Sequence, residues 1–198
     1  MLTIITLIVI TASVVCEHQT PPSRPIWPTG FKTEETVIAF DEENQPHTHR
    51  SVFYYSYTNQ TSSGRSYAQE RHDHLGYCYG WAVNQPSCTI LFRDNIYVVA
   101  QNLCCIAKQG NYGVSINWLQ GATWLGIEQI HGRTVDHWYT FGREYWSEVD
   151  EPRNGVRFSG PNLKAPHQFT DYDVWQISPQ DPRLFDLPKD TDCSQPCP

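Results

Sequence analysis

Two pairs of histidines are spaced so that each pair could present two imidazoles to a metal ion. His47 and His49 stand in the stretch HTH, and His72 and His74 in the stretch RHDH. Residues i and i+2 of a β-strand share a face, so each pair would offer two nitrogen ligands on one side of a sheet. The same spacing is common in solvated loops, and eight histidines make some pairing a matter of chance. We therefore predict no metal site from these pairs.

Carboxylates offer the second candidate chemistry. Asp171 and Asp173 flank Tyr172 in a DxD triplet, which on a strand would turn both side chains toward one divalent cation. Sugar-nucleotide transferases with such a pair are built on a doubly wound α/β sheet, which this sequence does not predict. Glu128 and Asp136 could form an acid/base pair, but nothing distinguishes them from ordinary edge carboxylates. No catalytic residue is predicted, and a glycan-acting enzyme that uses Glu128, Asp171 or Asp173 stays the alternative.

Residues 1–16 have the pattern of a secretory signal peptide. The run MLTIITLIVITASVVC is apolar but short for a membrane span, and Val14 and Cys16 occupy the positions that a signal peptidase inspects. No later stretch is apolar enough to cross a bilayer. We therefore expect a protein without a membrane segment after signal removal, secreted or delivered to the lumen of an acidic organelle.

Six cysteines follow that signal: Cys78, Cys88, Cys104, Cys105, Cys193 and Cys197. An even number in an exported chain predicts three disulfides, with fifteen conceivable pairings. A bridge between the neighbours Cys104 and Cys105 would strain the peptide that joins them, so each is expected to reach a different partner. At least one of Cys193 and Cys197 should fasten the Pro-rich tail to the domain. Asn59 begins an Asn-Gln-Thr sequon, which predicts a glycosylated loop.

The composition indicates one acidic β domain with more rings than a core requires. The formal net charge is −7 and no basic patch accumulates, which disfavours nucleic acid and anionic membranes as partners. Aromatic residues make up 13% of the chain, with seven Trp, and this excess suggests a ring-lined cavity. Short strand-like segments alternate with turn signals, and no stretch longer than about ten residues carries a helical period. We predict an antiparallel meander that closes as a barrel, stacks as a sandwich or curls as an open half-barrel.

The β domain is predicted over residues 31–178. An extended Pro-rich lead, 17–30, precedes it, and a Pro-rich tail, 179–198, follows it. The segments CTILF and NIYVVA flank Arg93 and Asp94, which predicts a tight hairpin. A further strand is predicted for the segment VSINWL, residues 114–119.

The stretch NWLQGATWLGIEQIHGRTVDHW, residues 117–138, combines three tryptophans with three glycines. It predicts two strands around a turn at His131 and Gly132, with glycines that permit sharp curvature or bulges. Trp118 and Trp124 have the same parity, so an unbroken strand would place both rings on one face.

The first half of this stretch, Asn117 to Gly126, resembles the pattern N-W-L-x-G-A-T-[YW]-L-G of a family of small secreted plant and protist proteins. Further matches are Trp27, Pro28 and Phe31 of a W-P-x-x-F element, Gly64 and Arg65 after the aromatic strand VFYYSY, and Gly132 and Trp138 beyond the motif. That family in turn resembles the ependymin-related proteins. It has a cysteine where this chain reads Thr134-Val135-Asp136, so its disulfide pairing is not transferred.

The resemblance implies an ependymin-like or lipoprotein-carrier-like fold, a curved antiparallel sheet with few short helices and a hydrophobic cavity. It also implies an apolar or amphiphilic, lipid-like ligand, and calcium as the one cofactor to consider. Together with the ring excess it predicts a secreted, non-enzymatic binding protein. The rings expected to contact the ligand are Trp118, Trp124, Trp138 and Trp175. A calcium-binding matrix glycoprotein is the third hypothesis, and a homodimer is left open.

Overall fold

The computed structural model describes residues 20–40, 43–58, 67–78, 85–110, 113–160 and 168–198. The predicted signal peptide at 1–16 and the sequon at Asn59 lie outside these residues. Throughout the described ranges, no helix has the length and apolar character that crossing a membrane requires.

Eleven β-strands make up the fold. In chain order they are β1 (Gly30–Phe40), β2 (Pro46–Thr58), β3 (Tyr67–Leu75), β4 (Ser87–Phe92), β5 (Ile96–Ala100), β6 (Leu103–Lys108), β7 (Thr123–Ile130), β8 (Arg133–Thr140), β9 (Arg143–Glu148), β10 (Gly155–Gly160) and β11 (Gln168–Ile177). One 3-10 helix, Pro182–Phe185, follows them. The mainly β, single-domain fold predicted from the sequence is confirmed.

All eleven strands belong to one antiparallel sheet with the order β6-β5-β4-β3-β2-β1-β11-β10-β9-β8-β7. Two meanders, β1 to β6 and β7 to β11, are joined where β1 pairs with β11. The predicted hairpins form at both places: β4 pairs with β5 around Arg93 and Asp94, and β7 pairs with β8 around His131 and Gly132. His131 and Gly132 have φ of 49° and 76°, the left-handed backbone that a tight hairpin turn requires.

The sheet curls strongly. Lys108 on β6 and Arg143 on β9 line one cavity, although eight inter-strand steps separate their strands in the sheet order. In a flat sheet, steps of about 4.8 Å would hold these strands about 38 Å apart. The sheet is therefore the predicted open half-barrel, with β6 and β7 as its two edges. We call its inner surface the concave face and the opposite surface the outer face.

An aromatic cluster fills one end of the concave face. Its largest buried members are Trp27, Phe31, Phe53, Tyr55, Trp138, Tyr145 and Tyr172. Many of the rings pack edge to face, as Trp27 does on Phe31 with centroids 5.3 Å apart, an arrangement that aromatic quadrupoles favour. Two segments, 20–29 and 113–122, lie across this end: the backbone amide of Trp27 donates to the carbonyl of Ile116 at 2.9 Å.

The strand predicted for the segment VSINWL, residues 114–119, is wrong. Residues 116–121 form consecutive turns, in which the amide of Trp118 donates to the carbonyl of Ser115 at 3.0 Å. The hydroxyl of Tyr55 donates to the carbonyl of Val114 at 2.8 Å, so the segment crosses the sheet and cannot lie within it. Trp118 and Trp124 therefore do not share one strand.

Three disulfides join the six cysteines. Cys78 pairs with Cys88, Cys104 with Cys193, and Cys105 with Cys197. The second and third bridges fasten the C-terminal tail along the β6 edge, where the amide of Ile106 donates to the carbonyl of Gln195 at 2.7 Å. The tail thereby covers the backbone of one sheet edge.

Candidate functional site

A cavity of about 430 Å³ opens on the concave face beside the aromatic cluster. This volume falls within the range of roughly 300–1,000 Å³ that small-molecule sites occupy in proteins. Six aromatic side chains contribute to its wall: Trp27, Phe53, Phe92, Trp118, Phe158 and Tyr172. Aliphatic residues extend the wall, and a compact group of ionisable side chains forms its polar part.

The strand register brings the polar group together. Glu35 on β1 stands opposite Tyr172 on β11 and opposite Ser51 on β2, and Ser51 stands opposite His74 on β3. Directly opposed residues on neighbouring strands project from the same face, so this row crosses four strands and points to the concave side. Glu35 occupies an inward position of β1, where the alternation calls for an apolar residue, and it is 1% exposed.

His72 lies between two carboxylates. Its Nδ1 is 3.7 Å from Oε2 of Glu35, and its Nε2 is 3.5 Å from Oε2 of Glu70. Its ring stacks on Phe53 with centroids 4.2 Å apart. Burial alone lowers the pKa of His72, but the hydrogen bonds and charges of Glu35 and Glu70 outweigh it and raise the pKa to about 9. The imidazole is therefore a cation at neutral pH.

Glu70 is fixed from the other side by the segment that crosses the sheet. The backbone amide of Val114 donates to its Oε1. Gly113 makes this approach feasible, because a Cβ atom there would lie 2.8 Å from the Glu70 side chain.

His49 and His74 form a second, neutral group on β2 and β3. Nε2 of His49 and Nδ1 of His74 are 2.9 Å apart, so one of the two nitrogens donates to the other. Burial, together with neighbouring histidines, lowers the pKa of His49 to about 4 and that of His74 to about 3. His47, the sequence neighbour of this group, stacks instead on Tyr77 at 5.0 Å.

The histidine pairs suggested by the sequence are thus split between different neighbours. His72 pairs with carboxylates, whereas His74 pairs with His49 on the next strand. Within the ranges that the structure describes, no group of three or more His, Cys, Asp or Glu side chains is placed to hold a metal ion. Calcium binding stays a prediction.

The opposite pKa shifts predict a stability maximum near pH 6.5. His72 contributes to the free energy of unfolding because its pKa is raised in the folded protein. This contribution is complete below its ordinary pKa of 6.5 and is lost as pH rises through about 9. The contribution of neutral His49 and His74 is complete above 6.5 and is lost as pH falls toward 4 and 3. Urea unfolding from pH 5 to 9.5 should therefore show His72→Gln to be destabilised relative to wild type by an amount that shrinks between pH 6.5 and 9. A difference that stays constant over this interval would contradict the buried ion cluster.

Of the four tryptophans proposed from the sequence, Trp118 lines the cavity. Trp138 is 1% exposed in the aromatic cluster, and its Nε1 donates to Ser147 at 3.2 Å. Trp124 and Trp175 pack at the rim of that cluster. The structure therefore divides the four rings between the cavity wall and the cluster beside it, and their contact with a ligand stays a prediction.

Trp27 and Phe53 are cavity rings that the sequence reasoning missed. Trp27 stands in the Pro-rich lead, which was expected only to run extended, and Phe53 was one of several aromatics in VFYYSY. The alternation along β2 could have identified Phe53 as an inward-facing ring. It places one set of side chains on the same face: His49, Ser51, Phe53 and Tyr55.

The DxD carboxylates lie on the outer face and have separate arginine partners. Asp171 binds Arg157, whose Nη2 lies 2.9 Å from Oδ2, and Asp173 binds Arg50 at 2.6 Å. Burial alone raises the pKa of Asp171, but its bonds to Arg157 and His131 lower it below its ordinary value. Neither aspartate belongs to the described lining of the cavity.

Glu128 and Asp136 are not brought together either. Glu128 stands opposite Val135, and Asp136 stands opposite Ile127, so the two carboxylates project from opposite faces of the β7–β8 ladder. Glu128 accepts hydrogen bonds from His137 at 2.7 Å, if its Nδ1 carries the proton, and from Trp146 at 2.9 Å.

Comparison with known proteins gives similarity of fold alone. No family model matches the sequence, and no curated protein matches it, so the resemblance to ependymin-related proteins stays a prediction. An uncharacterised conserved protein from Thermus thermophilus is 12% identical, with a TM-score of 0.49 over 83% of this chain and 88% of that one. A LolA superfamily protein from Nitrosomonas europaea is 9% identical, with a TM-score of 0.41 over 82% of this chain and 92% of that one. At these values the likeness is limited to the general course of the sheet, and no function follows from it.

Proposed function

We propose that this chain is a non-enzymatic binding protein that holds an apolar or amphiphilic small molecule in the cavity of its concave face. The observation that carries the proposal is the cavity itself, about 430 Å³ of space walled by aromatic and aliphatic side chains. A mostly apolar concavity with a few converging polar groups is the usual form of a small-molecule site.

The energetics suit a flexible alkyl or aromatic ligand. Each methylene that moves from water into such a wall contributes about 0.8 kcal/mol, so ten contribute about 8 kcal/mol. Lost translational and conformational freedom offsets several kcal/mol of this gain. For ten methylenes about 4 to 5 kcal/mol then remains, which corresponds to a dissociation constant of roughly 0.2 to 1 mM, and each further buried methylene tightens binding about four-fold.

The proposed setting is outside the cytosol. Three disulfides in one small domain fit an oxidising compartment. The apolar N-terminal run and the sequence resemblance support secretion in the same way. A binding protein exported with a largely apolar cavity would carry molecules that are poorly soluble in water.

The test is a titration with the neutral, environment-sensitive dye Nile red. Wild-type protein should bind it saturably with 1:1 stoichiometry, raising its fluorescence. Val114→Trp places a large ring at the cavity wall and should weaken binding about ten-fold or more. Val174→Trp is the matched control, because Val174 is 52% exposed on β11 and does not line the cavity, and it should bind as wild type does. Equal binding by both variants, or no saturable binding by wild type, would refute the proposal.

A further inference from the structure

The polar part of the cavity has an excess of buried acidic groups. Glu35 and Glu70 are 1% and 6% exposed, and both line the cavity. Among the residues that the structure describes, His72 is the one cationic side chain between them. Two carboxyl groups against one imidazole leave this cluster one positive charge short, and a buried carboxylate without a counter-charge is costly.

Three more polar atoms in or beside the cavity lack a partner. Nδ1 of His49, Oγ of Ser51 and Nε1 of Trp118 are buried without a hydrogen-bond partner among the described residues. The indole N–H of Trp118 is a donor on the segment that crosses the sheet, whereas His49 and Ser51 lie on the strand beside Glu35. His49 is 7% exposed and lines the cavity, and Ser51 stands directly opposite Glu35. Diagonal neighbours across a strand pair lie about 7–8 Å apart, so one head group can reach Glu35 and His49 together.

These groups favour a ligand that donates hydrogen bonds and carries positive charge. Carboxylates accept only, a hydroxyl has accepting lone pairs, and Nδ1 of His49 accepts in the tautomer whose Nε2–H donates to His74. The adjoining wall includes the rings of Trp118 and Tyr172. Aromatic faces attract cations through their quadrupole, most strongly where water is excluded.

The fixed cations of the cavity lie elsewhere. Lys108 and Arg143 line it at the end of β6 and at the start of β9, and both are exposed. Water screens their charge, and they cannot neutralise carboxylates at the bottom of the cavity. An anionic head group could pair with Lys108 and Arg143, but Glu35 and Glu70 would repel it from the polar part of the cavity.

We propose that the ligand is an amphiphile with a cationic ammonium head group, which lies among Glu35, Glu70 and His49 while its apolar part contacts the aromatic wall. This assignment rests on the proposed function, since it names the chemical class of molecule that the same cavity takes. An ammonium group would supply the missing charge and donate to the unpartnered acceptors.

The experiment compares three probes of equal chain length, dodecylammonium, dodecanol and dodecanoate, as competitors of Nile red below their micellar concentrations. Wild-type protein should bind dodecylammonium about ten-fold more tightly than dodecanol, and dodecanoate least tightly. Glu35→Gln should remove most of this preference for dodecylammonium over dodecanol. Glu34→Gln is the matched control, because Glu34 is the neighbouring residue, lies on the outer face and pairs with Arg50; it should keep the preference.

Each outcome decides the matter. Equal binding of ammonium and alcohol overturns the head-group assignment and leaves the proposed function intact. Tightest binding of dodecanoate also overturns it and moves recognition to Lys108 and Arg143. Failure of every probe, Nile red included, contradicts the proposed function itself. If E35Q does not fold, E70Q gives the same test, because its amide oxygen still accepts from the Val114 amide.

Discussion

Removing both disulfides of the C-terminal tail should lower the free energy of unfolding by about 6 kcal/mol, whereas removing either one alone should cost about 2 kcal/mol. The bridges Cys104–Cys193 and Cys105–Cys197 close loops of 89 and 92 residues. Either bridge alone already confines the tail, so the second closes only a short loop of a few residues. The unfolded chain gains most of its freedom only when both are lost.

The comparison needs three serine variants: each cysteine pair replaced alone, and both pairs replaced together. Urea unfolding without reductant gives the three free energies. The matched control is removal of Cys78–Cys88, whose loop of 10 residues predicts a loss of about 2 to 3 kcal/mol that is independent of the tail. Strict additivity of the two tail bridges would show that they do not restrict the same segment.

Trp27→Ala should destabilise the protein by about 4 kcal/mol, a typical loss for truncating a buried tryptophan. Trp27 is 7% exposed and has six aromatic rings within 6.3 Å of its own. Its Nε1 donates to the hydroxyl of Tyr145 at 3.0 Å, so the variant also leaves that buried hydroxyl without its donor. The ring anchors residues 20–29 over the concave face.

Ile26→Ala supplies the control for this variant. Ile26 is the preceding residue and is 67% exposed, so its truncation should change stability by less than about 0.5 kcal/mol. Thermal and urea unfolding of the two variants measure the difference. Similar stabilities for the two would mean that the segment before β1 does not dock on the sheet.

The strand pattern could be predicted from the sequence because its signals are local. Alternation of apolar residues and turn chemistry located the hairpins at Arg93 and at His131-Gly132 correctly. The strand prediction for residues 114–119 was wrong because the backbone of this segment bonds to the side chains of Glu70 and Tyr55, which lie on other strands. A residue pattern cannot show that a strand-like segment is held across the sheet.

The polar part of the cavity could not be predicted, because it depends on register across strands. Glu35 has ordinary polar neighbours in FKTEETVIAF, and nothing near it in sequence pairs with it. Only the pairing of β1 with β2 and of β2 with β3 brings it to His72. The sequence spacing suggests pairs of histidines at i and i+2 of one strand, whereas in the structure His49 on β2 pairs with His74 on β3.

The most direct measurement is a crystal structure of the protein grown with the neutral amphiphile dodecanol. We expect electron density for one alkyl chain inside the concave face, in contact with Phe53 and Phe158 and with the sheet unchanged. Density for the alcohol on the outer face or between molecules, with the cavity lined only by protein and water, would contradict it.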